Sequence, residues 1–497
     1  MIHEDRQPLT KEQIYERNRL AFAKLAAVTM NDIKKNETRT YQQYTKEDYR
    51  SYIQNPKSNE KNLRNMSRFF YIVSSVYRRL CKYYAEIPLL NWVLTPQIDM
   101  LDPQDPEKVK KAYQKALKLL TNMNMKHEFR KIMTTVWRED AYYGYIYSTT
   151  DSWFIDTLDP DYCKIVQIED GCYNFAFDFS YYDKFAYKLE TADTELQSMY
   201  EAYKNDSQNM KWQILNSKKT ICIKAGEDSV NEVIPPLVGI FEDLIDLIDY
   251  RSLIRNREEI QNYVLLVQKV PVYDKEQGVD NFLLDMDTVL DFDEKMSEST
   301  PDQVGVITSP MDIIPIQFKN DAPESDVLSK ATRMVFDNAG TSQMLFNSDK
   351  SGSLGLDASI KTDEMMAFSI VRQLERWVRR YIKQNTSSVK FHFEFLNVSA
   401  FNQTSFVDQQ LKLATAGVPN KLTLCASIGA DPLQTLSAAY VENTILGLQE
   451  QFIPLQTSYT QSNVANEGGR PEKDVSDLGD AGMQTRDGNQ NADTIET

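Results

Sequence analysis

Between Asn59 and Pro88 the chain reads NEKNLRNMSRFFYIVSSVYRRLCKYYAEIP, with Leu63, Met66, Phe69, Phe70, Val73, Val76 and Leu80 at steps of three and four. That spacing draws one apolar stripe along a single long helix, which should end before Pro88. The same period recurs in pieces from 10 to 85 and in a helical pair at 105–122 and 126–143. From Tyr145 the pattern changes to β-branched and aromatic runs separated by Asp-Pro and Asp-Gly. This predicts a β-rich segment inside a helical domain. A helix over 187–204 and two short strands, KWQIL and TICIKA, follow.

Pro235 and Pro236 then introduce an amphipathic stretch with Leu237, Ile240, Phe241, Leu244, Leu247 and Ile248 on one face and Glu242, Asp243, Asp246 and Asp249 outside it. Proline suits a first helical turn, and a helix over 236–262 would span about 40 Å at 1.5 Å per residue. From 264 to 320 the chain is strand-like and broken by Pro and Gly, with VLLVQKVPVYD, QVGVITSP and IIPIQF as strands of a small α/β unit. A second helix runs from a cap at Ser325 to a stop at Gly340. The polar stretch that follows, with Ser342, Asn347, Ser348, Ser351, Gly352, Ser353 and Gly355, reads as a compliant loop. A long helix begins near Asp357. It carries Ile370, Val371, Leu374, Trp377, Val378 and Tyr381 on one face and Arg372, Arg376, Arg379, Arg380 and Lys383 on another. A strand in SSVKFHFEFLNV comes next, then helices including one capped by Asp431 with Pro432 as its first residue. Gln461–Thr497 has no Phe, Trp or Tyr and eight acidic residues against three basic ones, so it reads as a disordered acidic tail.

At 497 residues the chain has room for about three units. Its 41% hydrophobic and 11% aromatic content implies that most of it folds. The N-terminal MIHEDRQPLTKEQ lacks the layout of a secretory signal and the apolar runs are too short to span a bilayer, so we expect a soluble, unsecreted protein with no membrane partner. Cys81, Cys163, Cys172, Cys222 and Cys425 are scattered without a CxxC spacing, which fits reduced core thiols better than disulfides or a zinc site. The net charge of −16 makes a tight grip on nucleic acid improbable, because that grip is mostly phosphate neutralisation by Lys and Arg.

Catalytic chemistry is largely missing. The three histidines, His3, His127 and His392, read as structural, and no phosphate-binding loop, dinucleotide fingerprint or nucleophile elbow is present. Lys350 precedes the glycines of its loop, and no strand feeds that loop. Asp285, Asp287, Asp291, Asp293 and Glu294 are the one candidate for catalysis: clustered carboxylates hold divalent cations for phosphodiester cleavage, but they also form ordinary solvated faces. The arginine ridge of the long helix fits either phosphate contact or ion pairing within or between subunits. No catalytic residue, metal or cofactor is expected.

GTSQMLFNSDKSGSLGLDASIKTDEMMAFSIVRQLERWVRRYIK resembles the corresponding region of portal proteins from tailed bacteriophages of the siphophage type that infect Gram-positive hosts. So do NLRNMSRFFYIVSSVYRRLCKYYAEIP, LDPDYCKIV, GVPNKLTLCASIGADP, the YVENTILGL and FIPLQTSYTQS segments and the tail GRPEKDVSDLGDAGMQTRD, in the same order over nearly the whole chain. The resemblance implies a mainly α fold with α+β insertions, the portal fold, assembling into a dodecameric ring around a channel for double-stranded DNA. Carried onto this chain, residues 1–235 form an arm and wing, 236–262 and 324–340 the stem helices, and 263–323 the clip. Residues 341–356 form the tunnel loop, 357–401 the long helix and wing strand, 402–455 the crown and 456–497 the tail. Gln343, Asn347, Ser348, Lys350 and Ser351 would touch the passing duplex, with Lys330, Arg333 and Asp337 lining the stem. Glu242, Asp243, Asp246 and Asp249 would form an acidic stem or intersubunit face. Implied partners are the terminase large subunit, a head-completion adaptor, the major capsid protein and the scaffolding protein, at a capsid vertex after assembly in the host cytoplasm. Two alternatives are a metal-dependent nuclease using the carboxylates of 285–294 and a viral scaffold ring through which no DNA passes.

Overall fold

A computed structural model describes residues 44–448 except 99–100, 102–103, 150–151, 263, 270–283, 285, 300–303, 310–323, 343–344, 346–352 and 387–388. The chain divides into two compact units, 1–435 and 436–497. Helix α1 (Lys46–Gln54) starts at a capping box in which Thr45 Oγ1 accepts from Asp48 N and the Asp48 carboxylate accepts from Thr45 N. The expected single helix over 59–87 is two, α2 (Glu60–Val73) and α3 (Ser75–Glu86). Ser74 is extended (φ −96°, ψ 113°) and its hydroxyl accepts from Tyr77 N at 3.3 Å, so a serine between β-branched and polar neighbours ends one helix and caps the next. The break shifts the apolar face: Val73 is exposed, and Tyr77 takes the buried position in place of Val76.

Strand β1 (Trp92–Pro96) precedes α4 (Pro106–Asn122) and α5 (Met125–Glu139). Helix α5 stops four residues before the expected 143, because Asp140 adopts φ +71° and the chain enters β2 (Ala141–Ser148). Then come β3 (Trp153–Thr157), β4 (Cys163–Glu169) and β5 (Cys172–Asp178). Asp170 and Gly171, both at positive φ, close the β4–β5 hairpin as a two-residue turn. A single turn, α6 (Tyr181–Lys184), precedes the expected 187–204 helix, a second, α7 (Ala186–Leu189), occupies its start, and α8 (Thr194–Asn205) begins only where Asp193 caps it. β6 (Trp212–Ile214) and β7 (Thr220–Lys224) complete two antiparallel sheets, ordered β3-β2-β7 and β4-β5-β6.

A 3₁₀ turn over Val238–Ile240 leads into α9 (Phe241–Asn262), so Pro235 and Pro236 lie before the helix and its 22 residues span about 33 Å. Strands β8 (Val264–Lys269) and β9 (Val304–Ser309) pair in parallel with α10 (Met286–Ser299) between them, a βαβ unit. The third expected strand, IIPIQF, lies outside the described residues. Helix α11 (Glu324–Ala339) starts one residue before Ser325, which is therefore inside its first turn and not its cap. Helix α12 runs Ser353–Asn385, followed by β10 (Phe391–Phe395), which pairs antiparallel with β1, and by α13 (Gln403–Thr415), α14 (Lys421–Ser427) and α15 (Pro432–Tyr440). Asp431 Oδ1 accepts from Leu433 N at 2.9 Å, the cap expected there. The second unit is described only over 436–448, where a π-turn spans Val441–Ile445. The acidic tail lies outside the described residues.

Strand β2 separates two cores. By period-2 alternation Tyr142 and Ile146 join the main cluster with α2, α3, α5, α9 and α12, whereas Ala141, Tyr143 and Tyr145 join an aromatic cluster with Phe175, Phe177 and Phe179. Gly144 sits where the sheet is tightest: a Cβ there would lie 2.4 Å from Ile155 Cγ2. The apolar face of α12 is the floor of the main core. Trp377 is 1% exposed, stacks on Tyr381 at 5.1 Å and donates from Nε1 to Thr220 O at 3.0 Å. Four cysteines are buried and Cys425 is half-buried, all as free thiols; burial pushes Cys81 up to about 12.

Candidate functional site

The candidate loop is held at its root. Gly340 takes φ +72°, Thr341 N donates to Phe336 O at 3.1 Å and Gly340 N to Asp337 O at 3.2 Å, the paired bonds of a Schellman stop after α11. Thr341 is then buried, its hydroxyl bonded to the Tyr84 hydroxyl of α3. Tyr83 and Tyr84 both donate to the Asp363 carboxylate of α12, at 3.0 and 3.4 Å. Burial pushes the Asp363 carboxyl up, and the two tyrosine hydrogen bonds oppose it. Ser342 N donates to Ser359 Oγ at 3.3 Å. Thr341 and Ser342 are thus fastened between α3 and α12, Leu345 lines a pocket with Ser75, Arg78, Lys82 and Phe401, and the long helix begins at Ser353, four residues before the expected start, so 353–356 are helical. Gln343, Asn347, Ser348, Lys350 and Ser351 lie outside the described residues.

The two strut helices, α9 and α11, pack against each other, with Leu244, Ile245, Leu247, Ala331, Val335 and Phe336 buried. Asn338 Nδ2 at the end of α11 donates to Asp243 at the start of α9 at 2.7 Å, so the pair is antiparallel. Lys330, Arg333 and Asp337 lie on the exposed side of α11, where Arg333 Nε and Asp337 Oδ2 approach to 3.7 Å. The acidic face of α9 carries partners from its own chain: Arg50 of α1 pairs with Glu242, Lys46 pairs with Asp246, and Asp243 accepts from Asn338. Asp249 is exposed. Arg50 lies 192 positions upstream of Glu242 and Asn338 95 positions downstream of Asp243, which is why periodicity alone showed only a wet stripe.

Asp287, Asp291 and Glu294 of the acidic cluster are exposed along one side of α10, and among the described residues no group of three or more His, Cys, Asp or Glu is placed to hold a metal. The arginine ridge is engaged inside the chain. Arg376 Nη1 donates to Gly171 O at 3.1 Å, Arg380 Nη1 to Asn174 Oδ1 at 3.0 Å, and Lys383 Nζ lies 3.0 Å from Asp170 Oδ2. Arg379 pairs with Glu375 at 2.6 Å and donates to Phe393 O, and Arg372 is exposed. His127 is exposed, and Nε2 of the half-buried His392 lies 3.4 Å from Arg379 Nη2.

One group had no sequence signal. Lys224 and Asp140, 1% and 2% exposed, form a buried ion pair, and the Asp140 carboxylate also accepts from Gly226 N at 2.8 Å and Ile234 N at 3.2 Å. Burial pushes the Asp140 carboxyl up while Lys224 and both amides pull against it. The pair ties the strap 225–236, which feeds the first strut, to the end of α5. A cavity of about 330 Å³ beside it is lined by Trp137, Ser229, Glu232, Ile234, Met366 and Ile370.

No protein-family model and no curated protein matches the sequence. Among solved structures the chain is similar to one in the neck of an empty gene transfer agent particle, computed with C6 symmetry (TM-score 0.38, 11% identity, covering 75% of this chain and 93% of that one). It is also similar to one in the virion of a native gene transfer agent particle (TM-score 0.39, 10% identity, covering 73% and 90%). Among the described residues no helix is long and apolar enough to cross a membrane.

Proposed function

We propose that the chain is the subunit of a phage-type portal: a ring, dodecameric in the particle, at one capsid vertex, through which double-stranded DNA is packaged, retained and ejected. The observation that carries this reading is the order strut, βαβ unit, strut, loop, long helix, with the two struts antiparallel and both ends of the loop tied to one body. That layout sets a βαβ unit between two helices that pack antiparallel, with Thr341 buried in the body directly after the second. Under this reading the βαβ unit is the clip, where the terminase large subunit docks during packaging and the head-completion adaptor afterwards. The N-terminal body is the wing, facing the major capsid and scaffolding proteins. Gln343, Asn347, Ser348, Lys350 and Ser351 touch the passing duplex: short polar side chains on a compliant backbone follow a rotating helix, where a cationic collar would hold it through released counterions. The subunit itself is no enzyme, and ATP hydrolysis belongs to the motor that docks on it.

Electron micrographs of the negatively stained, purified full-length chain test the assembly: rings with an open centre are expected, and a compact monomer overturns the reading. Deleting 347–353 separates loop from ring. Rings that form but package or retain less DNA in particles support the loop's role, and unchanged packaging and retention overturn it.

A further inference from the structure

Between 106 and 139 there are nine Lys or Arg against three Asp or Glu, in a chain whose net charge is −16. Two of those three carboxylates are buried and engaged: Glu128 lies 2.7 Å from Lys131, and Glu139 is held by Arg68 and Arg138. What faces solvent is therefore mainly cationic, with Glu107 the one exposed carboxylate, 3.9 Å from Lys110. On α4 the buried side is Ala116, Leu117 and Leu120, and the opposite side carries Lys108, Lys111, Lys115 and Lys118, all exposed, at i, i+3, i+7 and i+10. Among the described residues none of these four has an ion-pair partner. Helix α5 follows after Met123 and Asn124, and its outer side forms a groove of about 550 Å³ lined by Lys126, His127, Arg130, Lys131, Thr134 and Thr135.

We propose that this α4–α5 surface binds the phosphate backbone of nucleic acid without regard to sequence, a site separate from the 341–352 loop and argued independently of the ring. Like charges three and four residues apart on a helix repel, so the stripe works against the helix that carries it and calls for an anionic partner. Steps of three and four residues place a cation every 4.5 to 6 Å along the axis, roughly the scale on which a nucleic acid strand repeats its charge. An acidic protein face is the competing occupant, and two features disfavour it. Protein interfaces are depleted in Lys and rely on apolar anchors, yet among the described residues no large hydrophobic side chain is exposed between Leu101 and Val166. The stripe itself is lysine, a mobile point charge, where a planar carboxylate would be gripped in bidentate fashion by arginine.

The test uses the full-length chain and fluorescence anisotropy of a short mixed-sequence DNA duplex at several salt concentrations. The variant K108Q/K111Q/K115Q/K118Q keeps helix propensity, and K361Q/K390Q/K412Q/K421Q removes the same charge from exposed positions elsewhere. We expect the first variant to bind about tenfold or more weakly and its slope of log affinity against log salt to be shallower by about 3 to 4, with the second near wild type. Equal losses in both variants, or an acidic peptide that binds the wild-type chain more tightly than the duplex does, overturn the proposal. Ring formation, read separately by microscopy, is expected to be unchanged by either variant, so failure of this site leaves the assembly reading standing.

Discussion

Helix α12 and helix α4 each carry a basic stripe at helical spacing, and the fold treats them in opposite ways. On α12, Arg376, Arg380 and Lys383 meet the β4–β5 hairpin, where a backbone carbonyl, an amide oxygen and a carboxylate take one cation each. On α4, Lys108, Lys111, Lys115 and Lys118 face water. The difference lies in what packs alongside. The hairpin turn at Asp170–Gly171 brings oxygen acceptors against α12, while α4 packs through Ala116, Leu117 and Leu120 and leaves its far side uncovered. The lesson is that a cationic stripe takes its meaning from its acceptors: with acceptors in the chain it is a fastening, and without them it is a surface.

The largest way to break this contrast is Arg380→Met. Arg380 is 3% exposed and its Nη1 serves Asn174 Oδ1, itself in a buried residue. Truncation orphans that oxygen, and we expect a loss of about 2 to 3 kcal/mol in urea unfolding with DNA affinity unchanged. The buried, unpartnered Nη2 of the same guanidinium holds the cost below the roughly 3 to 5 kcal/mol of breaking a fully paired buried charge. A next step down is Gly171→Ala. Gly171 has φ +74°, and a Cβ there would approach Arg376 Cδ to 2.6 Å. The left-handed conformation alone costs an L-residue about 1 to 2 kcal/mol, and the displaced Arg376 should loosen the hairpin, visible as faster amide exchange in β4 and β5. An alanine variant as stable as the parent would mean that the fastening through Arg376 contributes nothing.

How much of this was legible in the sequence depends on the range of the interaction that decides each feature. The Asp170–Gly171 turn, the stop at Gly340, the Asp431 cap and the buried face of α12 are settled within a few residues, and spacing and turn chemistry found them. The break at Ser74 is also local, but the apolar stripe ran straight through it and hid the competing cap. Asp140 ends α5 because of Lys224, Gly226 and Ile234, at least 84 positions away, and no local pattern encodes that. The partners of the acidic face of α9 were hidden for the same reason, since Lys46 and Arg50 belong to α1. The α4 stripe was fully present as letters; an overall charge of −16 concealed a basic patch of 34 residues only because a sum over the chain erases position. The five residues proposed to touch DNA stand outside the described structure.

The smallest prediction is also the sharpest, because the two readings of α4 give it different signs. If Lys108, Lys111, Lys115 and Lys118 were fastenings like those of α12, neutralising one would destabilise the chain. If they are an unpartnered surface, neutralising Lys111 removes its repulsion from Lys108 at i−3 and Lys115 at i+4, each such pair costing about 0.2 to 0.5 kcal/mol, and loses one attraction of similar size to exposed Glu107 at i−4. Gln has nearly the helix propensity of Lys and loses no buried contact at an exposed position. Lys111→Gln should therefore raise stability by a few tenths of a kcal/mol at low salt, and the gain should shrink as salt screens the repulsion over a Debye length of about 10 Å at 0.1 M. The measurement is a pair of urea titrations of parent and variant at low and high ionic strength. A destabilised variant would place an acceptor beside α4 and join the two helices into one class; a salt-dependent gain keeps them apart and leaves the lysines facing outward for a partner the chain does not itself supply.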